Sequence, residues 1–458
     1  VPADRPNKEA DLLRMAVPLV ISFTLRQAFA MVDLVYAGLL DDPSALAAIS
    51  LFIPFHEIYI ALWVGLSAGF TAGLAHAFGR RDEARVRALK RSMLRLQAAL
   101  VPLLASGGVV LWFVLPEVGL APEVVASFRL YGTTLLVGLP LTGFWSIYPD
   151  SIVKAHYDTR ATMLAGIYAS LTNIALNTVF VFACGWGIFG IALATVLSRL
   201  VALAYAAGRA RRHERARLLD PSWAAAPRGT WPHPLTTVLT LALPASLTFA
   251  LTSAENSLVN LLLAGLADAE VALASYGVYY NLLRLACMPA IATAVAVVPY
   301  VARMVPEGHH ARVAADLRRV LALAALFGLA FTIPVGVLFP AEVAGFFVRS
   351  ADARTLADPT TRDVLRLLPI AALAGLPFLV LRPVFEALQR PRLGVLVSIA
   401  RFVLLSAPCV LGGRALAEAA GLAPTVGVVA GLCTATLVAS LLTVALVRRS
   451  LGEAAGAG

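Results

Sequence analysis

Long apolar runs separated by short, basic connections leave this chain few places to fold other than a lipid bilayer. About 20 apolar residues cover roughly 30 Å of hydrocarbon as a helix. The sequence offers twelve such runs, at 12–40, 46–78, 93–115, 123–150, 161–183, 187–209, 235–266, 271–304, 317–340, 361–388, 394–413 and 422–447. Composition agrees, with 59% hydrophobic and 14% charged residues, where soluble domains carry about a quarter charged. The formal charge of +10 does not indicate a nucleic-acid partner, because the arginines cluster in connections such as GRRDEARVRALKRSMLR and GRARRHERARLLD.

Those connections also orient the chain. Basic ones follow the second, fourth, sixth, eighth and tenth runs, whereas the alternate set (LDDPSA, PEVGLAPE, GWG, LADAE and RSADARTLADPTTRD) is short, neutral or acidic, or mixed. The positive-inside rule then places both termini in the cytoplasm of a multi-pass plasma (inner) membrane protein. Four cysteines scattered through apolar runs lack metal-ligand spacing and read as packing residues.

The halves echo each other. The step from Gly38 to Gly265 also carries Ala47 to Ala274 and Glu57 to Arg284, and KAHYDTRATM at 154–163 resembles EALQRPRLGV at 386–395. Six runs per half mean that both halves enter from the same side, so the repeats are parallel. The expected architecture is all-α, with twelve transmembrane helices in two pseudo-symmetric six-helix lobes. The lobes would be residues 1–209 and 235–458, joined by a cytoplasmic linker at 210–234 with a short interfacial helix near 218–226.

Within the first run stands a carboxylate, Asp33. A charge at that depth is costly unless it is protonated, paired or facing water, so its default reading is functional. Asn173 and Asn177 stand one helical turn apart on the fifth run and can face one point. A buried carboxylate suits proton coupling because its charge then depends on access to either side. Sodium would instead take several oxygen ligands. Other polar or aromatic candidates for a substrate cleft are Arg26, Gln27, Tyr36, Phe55, Glu57, Tyr148, Glu255, Asn256, Asn260, Tyr280 and Arg284. Glu57 and Arg284, related by the repeat step, form a candidate pair. If the intramembrane arginines are not paired with Glu57, Glu255 and Glu386, the cleft favours anionic substrates. No phosphate loop, metal cluster or nucleophile with its base is present at catalytic spacing, which argues against an enzyme.

The segments AVPLVISF and MVDLVYAG, the second run ending in FGRRDEARV, and SLTNIALNTVFVFACGWGIFGIALATVLSR at 170–199 resemble the multidrug and toxic compound extrusion (MATE) transporters. The resemblance is nearest to the prokaryotic DNA-damage-inducible branch. It implies efflux of a small amphipathic organic substrate by alternating access, in exchange for H+ or Na+, by a functional monomer among membrane lipids and without a cofactor. In that branch the ion-linked centre is built from the first-span Asp and a polar pair on the fifth span, here Asp33 with Asn173 and Asn177. The branch typically carries Asp where this chain has Asn177. A flippase of lipid-linked precursors and an exporter of anionic metabolites are the alternatives within the superfamily, and an uncoupled channel is the remaining one.

Overall fold

With no water in hydrocarbon to satisfy backbone N–H and C=O groups, apolar runs of this length close their hydrogen bonds internally as helices. The computed structural model describes residues 11–29, 33, 36–37, 39–40, 43–114, 122–220, 223, 233–343 and 359–456. Among these, eleven helices are long and apolar enough to cross a membrane, from Leu51–Gly79 to Pro424–Ala454, and a shorter apolar helix, Leu12–Leu25, precedes them. They fall on the expected runs, and we number them spans one to twelve in chain order. Acidic residues cap several starts. Asp11 accepts from the Leu13 N–H at 3.0 Å, Asp82 from Arg85 at 2.9 Å and Asp158 from Ala161 at 3.1 Å, each supplying an acceptor to a helix N-terminus that lacks one. The sixth helix, Gly187–Leu219, runs well past position 209. Most of the connection after it, like Gly38, lies outside the described residues.

Two compact units result, Val1–Ser246 and Leu247–Gly458. The boundary falls inside the seventh helix, Pro234–Ala264, because its first turns lie on span two. A Cβ on Gly69 would come within 2.6 Å of the Ala242 nitrogen, so the glycine is what lets the two backbones approach. Within the first unit, spans two and four, three and four, four and six, and five and six pack together. The second unit pairs eight with ten, nine with ten, ten with twelve and eleven with twelve in the same order.

Backbone conformation carries the repeat further than side-chain identity does. Left-handed φ values occur at Tyr157 (66°) and Gln389 (59°), and at Arg81 (52°) and Gly308 (87°), each pair at matching places in the two halves. The step from Tyr157 to Gln389 also takes Asp150 to Arg382 and Lys154 to Glu386. Asp150 pairs with Lys154 at 2.6 Å and Arg382 with Glu386 at 2.6 Å. The same buried i,i+4 ion pair therefore recurs with its charges exchanged. Arg81 is exposed and holds a conformation that its repeat mate fills with glycine. Arg81→Gly is expected to raise stability by about 1 kcal/mol, the cost of a left-handed non-glycine residue. Thermal unfolding in detergent would register it as a higher midpoint.

At one end of the first unit, the turn between spans four and five meets the extension of span six. Asp158 accepts from Arg209 Nη2 at 2.5 Å and from His213 Nε2 at 2.8 Å. Glu214 accepts from His156 Nε2 at 3.1 Å and from Arg217 Nη2 at 2.9 Å, and it also pairs with Lys90. The His156 and His213 rings stack at 5.2 Å. Burial pushes the Asp158 carboxyl up, but hydrogen bonds from His213 and Arg209 outweigh it and hold it down at about 2. Burial pushes His156 below its ordinary value. Because the folded Asp158 lies below an unfolded carboxyl at about 3.9, its contribution is present above that value and is lost as pH falls toward 2. Asp158→Asn is expected to cost about 1 kcal/mol near neutral pH, where it weakens the cap and the paired charge. The variant should also show a shallower acid loss between about pH 4 and 2, readable from unfolding midpoints across that range.

Candidate functional site

Span one brings Asp33 against spans five and six, and span five packs on both span one and span six. The sequence permits the approach because Gly166 on span five faces Ser22, where a Cβ would lie 3.0 Å from the Ser22 hydroxyl. Asn177 Nδ2 donates to Asp33 Oδ1 at 3.0 Å, and Thr195 Oγ1 donates to Asp33 Oδ2 at 3.0 Å. Asn173 closes the ring, accepting from Asn177 Nδ2 at 3.3 Å and donating to Thr195 at 3.2 Å. Asn177 is fully buried, and its Oδ1 has no hydrogen-bond partner among the described residues.

Directly beyond Asn177 and Thr178 the helix widens into a π turn, Val179–Ala183, a distortion that recurs at functional positions. Tyr36 sits over the edge of this centre. Its hydroxyl lies 2.6 Å from Thr178 Oγ1 and its ring centroid 5.8 Å from that of Phe182.

The chemistry available is a change of charge at one carboxylate. Asp33 is held by three neutral side chains, so its charge has no fixed counter-ion among its hydrogen-bond partners. A proton would neutralise it directly. A small monovalent cation would find oxygens on Asp33, Asn173, Asn177 and Thr195. Arg199 stands one turn beyond Thr195 on the same helix and lies within electrostatic range of Asp33 and Tyr59. Thr195 and Arg199 were not singled out from sequence, although both close the stretch GIALATVLSR. The available signal was a hydroxyl and a cation at i,i+4 on an otherwise apolar helix.

Asp33, Asn173 and Asn177, expected together, are together. Of the remaining candidates, Tyr36 borders this centre, and the others with described side chains lie elsewhere in the two units. The side chains of Arg26 and Gln27 lie outside the described residues. Phe55 is exposed at 36% and packs against Phe128 with centroids 6.1 Å apart, while Glu57 is half-buried. Tyr148 stacks on Phe70 at 5.7 Å.

In the second unit Glu255 is bound to Arg401 at 2.6 Å, Asn256 accepts from the Tyr276 hydroxyl at 3.2 Å, and Tyr280 packs on Tyr276 at 5.9 Å. Asn260 is half-buried and Arg284 exposed. Arg382 and Arg401 both have carboxylate partners, the structural pairing that sequence left open. All four cysteines are free, and Cys184 is exposed rather than a buried packing residue because it lies at the end of span five, beyond the π turn.

The family model MatE matches residues 18–179 and again 244–411, one match in each half. Among curated proteins, the probable multidrug resistance protein YoeA of Bacillus subtilis (strain 168) is 25% identical over 201 residues, covering 43% of this chain and 43% of that protein. Protein DETOXIFICATION 49 of Arabidopsis thaliana is 25% identical over 201 residues, covering 42% of this chain and 39% of that protein. The similarity thus spans less than half the length of either relative.

Solved structures share the fold across nearly the whole chain. A MOP superfamily transporter from Pyrococcus furiosus, described as having a binding pocket of reverse polarity, superposes with a TM-score of 0.83 at 20% identity, covering 98% of this chain and 99% of that one. An outward-facing multidrug resistance MATE family transporter of the MOP superfamily superposes with a TM-score of 0.79 at 21% identity, with the same coverage.

Proposed function

The chain belongs to the MatE family, and we propose that it is a secondary active exporter whose N-terminal lobe couples substrate efflux to inward H+ or Na+ flux at Asp33. The observation that carries this reading is the ring of Asp33, Asn177, Asn173 and Thr195, in which one intramembrane carboxylate is held by neutral donors only. Loading an ion there changes the charge that holds span one against spans five and six. Such a change can bias two arrangements of a helix bundle, and binding at one site is then linked to binding at another.

We read the chain as two lobes, 1–209 and 235–458, joined at 210–234 and acting as a monomer, with both termini in the cytoplasm of the inner membrane. Tyr36, at the rim of the centre, is the cleft residue placed to feel its state, and the substrate is a small amphipathic organic molecule. Asp33 and Asn173 favour the DNA-damage-inducible branch. The anionic-metabolite alternative needs unpaired positive charge in the cleft, and the pairing of Arg382 with Glu386 and Arg401 with Glu255 removes two of its arginines.

The test is uptake of a fluorescent cationic drug into proteoliposomes under separately imposed pH and sodium gradients. Uptake driven by one gradient and absent without it supports coupled export and names the ion. Drug movement indifferent to both gradients would leave an uncoupled pathway. Absence of cation transport, with movement of an organic anion, would return the anionic reading.

A further inference from the structure

The second unit has its own polar centre between the first and fifth spans of its half, and it is built on the opposite electrostatic plan. Glu255 on span seven takes Arg401 Nη1 on Oε1 at 2.6 Å and Nη2 on Oε2 at 3.2 Å. Ser406 bonds the same carboxylate and accepts from Arg401 Nη1 at 2.5 Å. The guanidinium lies 4.8 Å from the centre of the Phe402 ring. Arg401 and Glu255 side chains are 8% and 14% exposed. Arg401 lies in a π turn, Ala400–Leu405, as the N-terminal centre borders the π turn of span five. The two centres lie between corresponding spans of their halves but are not residue equivalents, since the step from Gly38 to Gly265 carries Asp33 to Asn260 rather than to Glu255. One carboxylate is met by amides and a hydroxyl, and the other by a cation carried on the chain.

We infer that Arg401 is a built-in counter-ion that makes the C-terminal centre indifferent to the coupling ion, so that only the N-terminal centre answers to it. This rests on the reading of Asp33 as the ion-coupling group. The physical argument is charge balance at a dry site. With Arg401 in place the Glu255 centre is formally neutral, and adding a proton or a sodium ion strands a buried guanidinium without its partner, which is costly. With Arg401 gone, the carboxylate is itself stranded, and a proton or cation becomes the cheapest way to neutralise it. The other titratable groups facing this pair are Tyr276 on span eight and Cys433 on span twelve. A phenol and a thiol are ordinarily neutral near pH 7 and supply no replacement cation.

The experiment is an infrared pH titration of the full-length protein in lipid nanodiscs, following the carbonyl band of protonated carboxyl groups. Asp33→Asn is expected to remove one titrating band, and Glu255→Gln in the presence of Arg401 to remove none. Arg401→Gln is expected to add a band, which Arg401→Gln combined with Glu255→Gln abolishes. Loss of a band in Glu255→Gln, or no new band in folded Arg401→Gln, overturns the inference. If Arg401→Gln yields no folded protein, the Glu255→Gln spectrum decides alone. An unchanged spectrum in Asp33→Asn instead counts against the reading of Asp33 and is separable from the outcome at Arg401.

Discussion

Asp33→Asn is expected to abolish gradient-driven uptake while leaving the protein folded and able to bind substrate. The replacement is isosteric, and the ring around it can be rebuilt. An Asn carbonyl still accepts from Asn177 or Thr195, and a neighbouring Asn amide can turn to meet the new NH2 group. What disappears is the ionisable charge. The free energy by which one binding event biases another is typically about 1–3 kcal/mol, and with it removed uptake should fall to the rate seen without a gradient. Drug binding, measured by fluorescence anisotropy in detergent, should remain. Native-level uptake in this variant would remove Asp33 from coupling, and loss of binding together with uptake would place it in substrate recognition instead.

Gly431→Ala is expected to be, with Gly427→Ala, among the most destabilising single-methyl changes at the described glycines of the second unit. Gly427 and Gly431 stand one turn apart on span twelve against Gly413 and Cys409 of span eleven. A Cβ on Gly431 would meet the Cys409 carbonyl, with that group's carbon at 2.7 Å and the Val410 Cα at 2.8 Å. These are backbone atoms, so a rotamer change cannot relieve the clash and the two helices must separate. In lipid, close packing is the main attraction between helices, so separating them forfeits it along the whole seam. Overpacking costs about 1–3 kcal/mol where side chains can shift, and about 3 kcal/mol is expected here, where they cannot. Gly412→Ala is the control. Nothing lies within 4 Å of its Cβ, and removing a helical glycine there should gain about 0.5–1 kcal/mol. Opposite shifts in thermal midpoint, one down and one up for neighbouring methyl groups, would verify the close seam. Equal shifts would mean a loosely packed seam.

Hydropathy and charge placement carried the spans because both are local: any run of sufficient length that avoids charge must satisfy its own backbone in lipid. The repeat was legible for the same reason, as a step from Gly38 to Gly265 that also carries Ala47 to Ala274. Asp33 stood out because a lone carboxylate in such a run has no cheap local explanation. Asn173 and Asn177 could be joined to each other by helical spacing, but their link to Asp33 came only with the family resemblance.

What tertiary structure alone decided is which charges meet. Arg401 and Glu255 lie on different helices far apart in the chain, and nothing in either segment indicates that the guanidinium ends on that carboxylate. Thr195 became part of the centre only when span six packed beside span five. Matching 154–163 with 386–395 already set Lys154 opposite Glu386, but that each sits in an i,i+4 ion pair of exchanged sign, before shared left-handed turns at Tyr157 and Gln389, came only with the fold. Sequence by itself determined where the long apolar runs and the costly groups within them lie, since those follow from transfer free energies residue by residue. Packing determined which costly groups neutralise one another, because a charge pair in low dielectric depends on a few ångströms between helices that the linear order does not contain.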